Sequence, residues 1–158
     1  MLEFLRDLFG HCAWANAVFF HTWGKGPARE HEELRRRVEH ILGVQLGFLS
    51  VLKGEPAGGP SDRPPATYDE LKSWAEKLHG ELNEHVRSMQ EADLARMVSI
   101  PWIPGCTISA SEALVQAAMH TQHHRGQCMT RLKDLGGEPK NVDWIIWLWK
   151  NKPAPRWS

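Results

Sequence analysis

The chain has 158 residues, which suits one domain, residues 1–158, with a buried core. Its 19 Lys and Arg residues balance its 19 Asp and Glu residues, so no net positive charge favours a nucleic acid or an anionic membrane as a partner. No apolar run approaches the roughly 20 residues that cross a bilayer, and charges interrupt the apolar amino terminus, unlike a signal peptide, so we expect a cytoplasmic protein.

The first two predicted helices follow from apolar residues that recur at intervals of three and four. One helix runs from about Leu2 to Trp23 and stops at Gly24. The next runs from about Ala28 to Lys53 and ends at Gly54. The segment "GEPAGGPSDRPPA" that follows is too rich in proline and glycine to be helical throughout, and it separates the halves of the domain.

The third and fourth predicted helices begin with capping boxes, in which a hydroxyl side chain and a glutamate three residues later cap each other's backbone amides. These boxes are "TYDE", from Thr67 to Glu70, and "SASE", from Ser109 to Glu112. The third helix runs to about Met89, and the fourth ends near Leu135, before two glycines.

Two further segments complete the predicted fold. The stretch "ARMVSIPWIPGCTIS" between helices three and four has two prolines and β-branched residues, which indicates an irregular connection or a short hairpin. Residues 141 to 150 predict a short final helix. Four long amphipathic helices in one small domain predict an all-α four-helix bundle with a short C-terminal helix.

Four of the eight tryptophans lie in the carboxyl-terminal stretch "VDWIIWLWKNKPAPRW". A segment this rich in large aromatic side chains either packs over the bundle or forms the wall of a pocket or a subunit interface. The sequence leaves both interpretations open.

The most informative motif is "MHTQHHRGQ" in the fourth helix, which contains His120, His123 and His124. On a helix that advances about 100° per residue, His124 lies roughly 60° and His120 roughly 100° from the centre of the apolar stripe, whereas His123 lies roughly 160° away. Two histidines spaced i and i+4 can bind one metal ion from the same side of a helix. Spacing alone also allows two half-exposed helix histidines.

No glutamate stands between His120 and His124, so the motif does not indicate a zincin. A third ligand should come from the edge of another helix's apolar stripe, and His40 of the second helix meets that criterion. Geometry alone leaves other candidates open, which are His11 and His21 on the first helix, His31 on the second, and His79 and His85 on the third.

Four motifs together resemble the DinB or YfiT-like superfamily of metal-dependent enzymes. They are "CAWANAVFF" in the first helix, "HILGVQLGFL" in the second, "HTQHHRGQ" in the fourth and "GGEPKNVDWIIWLW" at the carboxyl end, and they occur in the family's order over nearly the whole chain. The "HxxxHRGQ" element is the most specific of them.

The resemblance implies a homodimeric bundle of the DinB/YfiT-like type with one divalent metal ion held by three histidines, which correspond to His40, His120 and His124. Zinc and nickel lead the candidate ions, followed by iron, cobalt and copper. Three imidazoles leave positions for a bound water or thiol of lowered pKa. The expected activity is therefore a low-molecular-weight-thiol S-transferase or a hydrolase, acting on a small-molecule substrate.

The alternative is a non-catalytic bundle that binds a small molecule or serves in a stress response, with a structural metal that joins helices two and four. Arg125 and Gln127 accompany the histidine pair, and each either orients a ligand by a hydrogen bond or lies on the flank of the bundle. Gln45 lies within the apolar stripe of the second helix, so it either faces the cavity near the metal or is partly exposed.

Overall fold

The computed structural model describes residues 1–57 and 66–158, so most of the predicted proline and glycine loop lies outside the described residues. The described part of the chain is mainly helical, which confirms the predicted all-α bundle. In chain order its elements are α1 (Leu2–Lys25), α2 (Glu32–Lys53), α3 (Tyr68–Ser88), a 3-10 helix (Glu91–Ala95), β1 (Met97–Ser99), β2 (Thr107–Ser109), α4 (Ala110–Asp134) and α5 (Trp144–Trp149).

The long helices pack around the bundle in the circular order α1, α3, α2, α4. Helices α2 and α4 are antiparallel, because Glu33 near the start of α2 contacts Arg131 near the end of α4, and His40 contacts His120 further along. Helix α4 is therefore flanked by α2 on one side and by α1 on the other. The side of α4 that faces α2 and the side that faces α1 carry different polar side chains.

The apolar faces of the helices meet in one continuous core, whose largest side chains include Phe9, Phe20 and Trp23. A second, smaller cluster, formed by Trp14, Ala15, Val142 and Trp147, attaches α5 to the outside of α1. Trp147 is buried and Trp144 and Trp157 pack partly against the bundle, as one of the two interpretations predicted, whereas Trp149 is 76% exposed. Within the described ranges, no helix combines the length and the apolar character needed to cross a membrane.

Helix α1 continues past Gly24, where the sequence predicted its end, and stops at Lys25. The glycine is needed for packing rather than for termination, because a Cβ atom at this position would collide with the hydroxyl group of Tyr68. That hydroxyl donates a hydrogen bond to the carbonyl of Phe20, 2.8 Å away. A contact between α1 and α3 cannot be read from the local sequence.

Helix α2 begins at Glu32, four residues after the predicted start at Ala28. The carbonyl of Ala28 accepts hydrogen bonds from the indole N–H of Trp23 at 2.8 Å and from the amide of His31 at 3.0 Å. These bonds hold the residues before Glu32 in a turn. The apolar periodicity therefore begins about one turn before the helix itself.

Both predicted capping boxes are present, with Thr67 and Ser109 as the N-caps of α3 and α4. The connection between these helices contains a hairpin in which β1 pairs antiparallel with β2 and Val98 lies opposite Ile108. The final helix begins at Trp144 rather than near residue 141, because the side chain of Asn141 accepts a hydrogen bond from the Asp143 amide and forms a turn there.

Candidate metal centre

The fold brings His40 of α2 together with His120 and His124 of α4 at mid-height on the outer groove between the two helices. One ring nitrogen from each side chain lies within 4.8 Å of the others. The ring centres are 4.9 Å apart for His40 and His120, 4.9 Å for His40 and His124, and 4.3 Å for His120 and His124. Three potential ligands from two helices thus converge on one point.

The spacing of these nitrogens fits a metal ion. The Nε2 atoms of His40 and His120 are 3.1 Å apart. Two nitrogen ligands at zinc bond lengths in a tetrahedral arrangement lie about 3.3 Å apart. His40 and His120 are therefore spaced as two ligands of one ion, and His124 offers a third nitrogen within 4.8 Å of both.

The electrostatic environment keeps His40 and His120 in the neutral form that metal binding requires. Partial burial lowers the pKa of His40, and the neighbouring His124 lowers it further. Partial burial together with the three nearby histidines lowers the pKa of His120 to about 4. Protons therefore compete weakly for His120 near neutral pH.

Gln127 contacts the cluster from one turn further along α4. Its Oε1 atom lies 2.9 Å from Nδ1 of His124 and accepts that N–H, which leaves Nε2 of His124 free to face the cluster. Arg37 of α2 donates to the same oxygen at 3.2 Å. This is the geometry expected of a residue that orients a metal ligand.

Arg37 was not identified from the sequence as part of this site. It also pairs with Glu33, which in turn binds Arg131, so the ion-pair chain connects α2 with α4 beside the histidines. The sequence feature that could have identified Arg37 is its position three residues before His40, because residues three apart are neighbours on one face of a helix.

His123 stays outside the cluster, as its helical angle predicted. Its side chain is exposed, and its Nε2 atom lies 3.0 Å from the amide nitrogen of Gln127. Because that amide donates, Nε2 of His123 is the acceptor. The residue thus helps to fix Gln127 rather than adding a fourth ring to the group.

Arg125 does not lie on the bundle flank, and it forms an interhelical hydrogen bond, although its partner is none of the three clustered histidines. It is only 1% exposed and points toward α1, where it donates to Oδ1 of Asn16 at 3.0 Å, and it also donates to Gln122 of α4. Asn16 in turn donates to Nε2 of His79 at 2.7 Å. The "HRGQ" motif therefore serves two faces of α4, with Gln127 toward the cluster and Arg125 toward the core.

Gln45 is fully buried, at 0% exposure, which excludes the partly exposed position that the sequence allowed. Neither its amide oxygen nor its amide nitrogen has a hydrogen-bond partner among the described residues. Nδ1 of His120 is likewise buried and unpaired within that part of the chain. The alternative location, in a cavity near the metal position, stays a prediction.

The surface next to the cluster is open because α2 presents glycines on the face of His40. Gly43 has no atom within 4 Å of where a Cβ would lie. Gly47, one further turn along, lies beneath the indole of Trp102 from the hairpin loop, at 3.3 Å. Seven residues of helix span about 10 Å, so Trp102, which is 45% exposed, lies about that far along α2 from His40.

Comparison with known proteins identifies a family model, a curated relative and a solved structure that are similar to this chain. A family model described as the DinB superfamily matches residues 5–128. An uncharacterized protein of Bacillus subtilis, YizA, is 22% identical over 106 residues, which cover 67% of each chain. A crystal structure of a DinB-like protein from Bacillus cereus has a TM-score of 0.63 at 19% identity, and the match covers 89% of this chain and 93% of that one.

Proposed function

This chain belongs to the DinB superfamily, and from that premise we propose that His40, His120 and His124 bind one divalent metal ion at a catalytic site. The observation that carries the proposal is the convergence of three ring nitrogens within 4.8 Å of one another. Imidazole suits zinc and nickel, which we propose as the leading ions, with iron, cobalt and copper as further candidates.

A catalytic role is supported by the openness of the cluster. Within the described residues, the group comprises three donor side chains and no fourth, and His40 is exposed to solvent. Structural zinc sites are closed by four protein ligands, whereas catalytic sites keep a position for water or substrate. Helices α2 and α4 also pack through apolar side chains on either side of the cluster, so they do not need an ion to hold them together.

We propose a low-molecular-weight-thiol S-transferase or a hydrolase as the activity. A divalent ion held by the three histidines would lower the pKa of a water or thiol bound to it, which would make either one a nucleophile near neutral pH. The protein side chains contribute orientation: Gln127 holds the His124 ring through Nδ1, and Arg37 holds Gln127. The open space at the exposed Gly43 leaves room for a small molecule beside His40.

The proposal is tested by screening zinc-loaded and nickel-loaded protein for thiol transfer to electrophiles and for ester or amide hydrolysis. His120→Ala should lose both the metal and the activity, whereas His123→Ala should keep them, because His123 lies outside the cluster. Activity that survives in His120→Ala would place the chemistry elsewhere.

Gly43→Leu separates substrate access from metal binding. A leucine side chain at this position occupies the open space beside His40, where no atom lies within 4 Å of the Cβ position. The variant should keep its metal and raise the KM for the substrate. Loss of the metal in Gly43→Leu, or an unchanged KM, would contradict substrate access over this surface.

The competing role, a structural ion in a non-catalytic bundle, predicts a different result. In that case every screen fails, and removal of the metal unfolds the protein. The two roles are therefore distinguished by measuring activity and stability on the same metal-free preparation.

A further inference from the structure

We propose that a second cavity, on the opposite side of α4 from the histidine cluster, binds an organic anion with a flat apolar part. This cavity, named here the tail cavity, lies between the carboxyl-terminal half of α1, residues 136–140 and residues 150–158. Its volume is about 830 Å³, within the range of about 300 to 1,000 Å³ that small-molecule sites occupy. None of the three clustered histidines lines it.

The tail cavity gathers positive charge in a chain whose formal net charge is zero. Lys25, Lys140, Lys150 and Arg156 line it, together with a single acidic side chain, Glu138. In the described part of the chain, none of these four cations forms an ion pair with a carboxylate, unlike most other arginines of the surface. The cavity therefore attracts anions.

The carboxyl ends of α1 and α4 also face this region, and their carbonyl groups contribute partial negative charge that opposes the charge of the lysines and the arginine. Each helix end is equivalent to about half of a negative charge. Backbone amides already satisfy some of these carbonyls, since Gly26 donates to Trp23 and Gly137 donates to Leu132. With Glu138 and both helix ends counted as negative, positive charge still predominates in the cavity.

Part of the cavity lining is apolar and is formed by Trp14, Val18 and Pro153. Trp14 is only 6% exposed, and the ammonium group of Lys150 lies 6.0 Å from the centre of its ring, so a cation lies beside the exposed part of an aromatic side chain. A ligand that fills this space has an aromatic or other flat apolar part against these residues and a carboxylate or phosphate group among the lysines.

Isothermal titration calorimetry with three probes tests both halves of this chemistry. The probes are 1-naphthyl phosphate, 1-naphthol and inorganic phosphate. We expect 1-naphthyl phosphate to bind at least about tenfold more tightly than either of the others, and added salt to weaken it. Equal affinity for 1-naphthol would show that charge contributes nothing, and no binding of 1-naphthyl phosphate at millimolar concentration would overturn the proposal.

Substitutions assign the binding to the tail cavity. The double variant Lys25→Gln and Lys150→Gln removes two exposed cations and should weaken binding of 1-naphthyl phosphate about tenfold. Lys133→Gln is the matched control, because Lys133 is an exposed lysine of α4 that does not line the cavity. An equal loss in both variants would indicate only general attraction to a charged surface and would contradict the proposal.

Two further variants separate the tail cavity from its neighbours. His120→Ala, which disrupts the candidate metal centre, should bind 1-naphthyl phosphate as well as the wild type does. Ala154→Trp places a large side chain on the lining of the cavity without changing its charge, so it should abolish binding. Binding lost in His120→Ala but kept in Ala154→Trp would move the anion site to the histidine cluster.

Discussion

Polar side chains of α4 divide between two neighbouring helices, and this division explains their separate roles. His120, His124 and Gln127 face α2, whereas Arg125 faces α1 and lies in the core. A helix turns about 100° per residue, so adjacent residues of one motif can serve different surfaces. The residues of "HHRGQ" are thus adjacent in sequence, but their side chains face different helices.

The role of Gln127 can be measured through metal affinity. Gln127→Met keeps the length of the side chain but removes the acceptor for Nδ1 of His124. Loss of a hydrogen bond that orients a metal ligand typically weakens binding by about 10- to 100-fold, and we expect a loss in that range by competition with a chromogenic chelator.

The matched control for that variant is Gln116→Met, an exposed glutamine of the same helix that forms no hydrogen bond with the three histidines in the described part of the chain. Unchanged zinc affinity in Gln127→Met would mean that the contact with His124 does not orient the ring in the metal-bound protein.

His79 provides the clearest link between protonation and stability. Arg125 donates to Asn16, and Asn16 donates to Nε2 of His79, so that nitrogen must be unprotonated. Burial, followed by the charge of Arg125, lowers the pKa of His79 to about 3. The unfolded chain binds this proton near the ordinary pKa of 6.5. The free energy of unfolding is therefore highest above pH 6.5 and falls as the pH drops toward 3.

His79→Gln tests this dependence, because glutamine can still accept the hydrogen bond from Asn16 but does not titrate. Between pH 6 and pH 4, the wild type should lose about 1.4 kcal/mol of unfolding free energy per pH unit more than the variant does. Urea unfolding at several pH values measures the difference. Parallel pH profiles for the two proteins would contradict the assignment of this titration to His79.

Side-chain periodicity and the family resemblance together predicted the three histidines of the candidate metal centre but not every neighbour. His120 and His124 follow from helical spacing in a single segment, and His40 was one of several candidates until the family resemblance selected it. The tertiary partners of Arg125 and Arg37 depend on which helices lie beside α4 and α2. The local sequence does not determine which helices are neighbours, so these contacts could not be predicted from it.

The observed helix boundaries agree with the predicted ones where a capping side chain forms local hydrogen bonds, and they differ where a tertiary contact determines the boundary. The starts of α3 and α4 agree with the sequence prediction because Thr67 and Ser109 provide local hydrogen bonds. The end of α1 and the start of α2 were misplaced because Gly24 accommodates Tyr68 and Ala28 binds Trp23. Local signals fix a boundary only when no distant residue competes for the same groups.

The capping box of α4 has a measurable contribution to stability. Ser109→Ala removes the acceptor for the Glu112 amide, and loss of such a cap typically costs about 1 kcal/mol of unfolding free energy. Chemical denaturation should show this loss. Ser73→Ala, an exposed serine in the interior of α3, is the control and should leave the stability unchanged or slightly higher. Equal effects in both variants would show that the cap contributes nothing.

The bundle is held together by its core rather than by the candidate metal centre. Apolar residues from all four long helices form one buried cluster, while the three histidines lie at the surface between α2 and α4. The fold class was predictable from sequence because amphipathic periodicity over long segments determines it. The circular order of the helices was not predictable, since each apolar face can pack against several partners.

Removal of the metal should therefore leave the fold intact. After treatment with a chelator, the far-UV circular dichroism spectrum should stay helical, and the free energy of unfolding should fall by no more than about 3 kcal/mol, which corresponds to a free ligand concentration near 100 times Kd. Unfolding of the metal-free chain would instead support the structural role of the ion.

The most direct measurement is the metal content of untagged protein, purified without added metal, by elemental analysis. The wild type and His123→Ala should each contain close to one divalent ion per chain, whereas His40→Ala, His120→Ala and His124→Ala should contain almost none, because within residues 1–57 and 66–158 only those three side chains converge. A wild type that stays free of metal even after loading with zinc or nickel, or a His123→Ala variant that loses its metal as completely as the others, would contradict the three-histidine metal site.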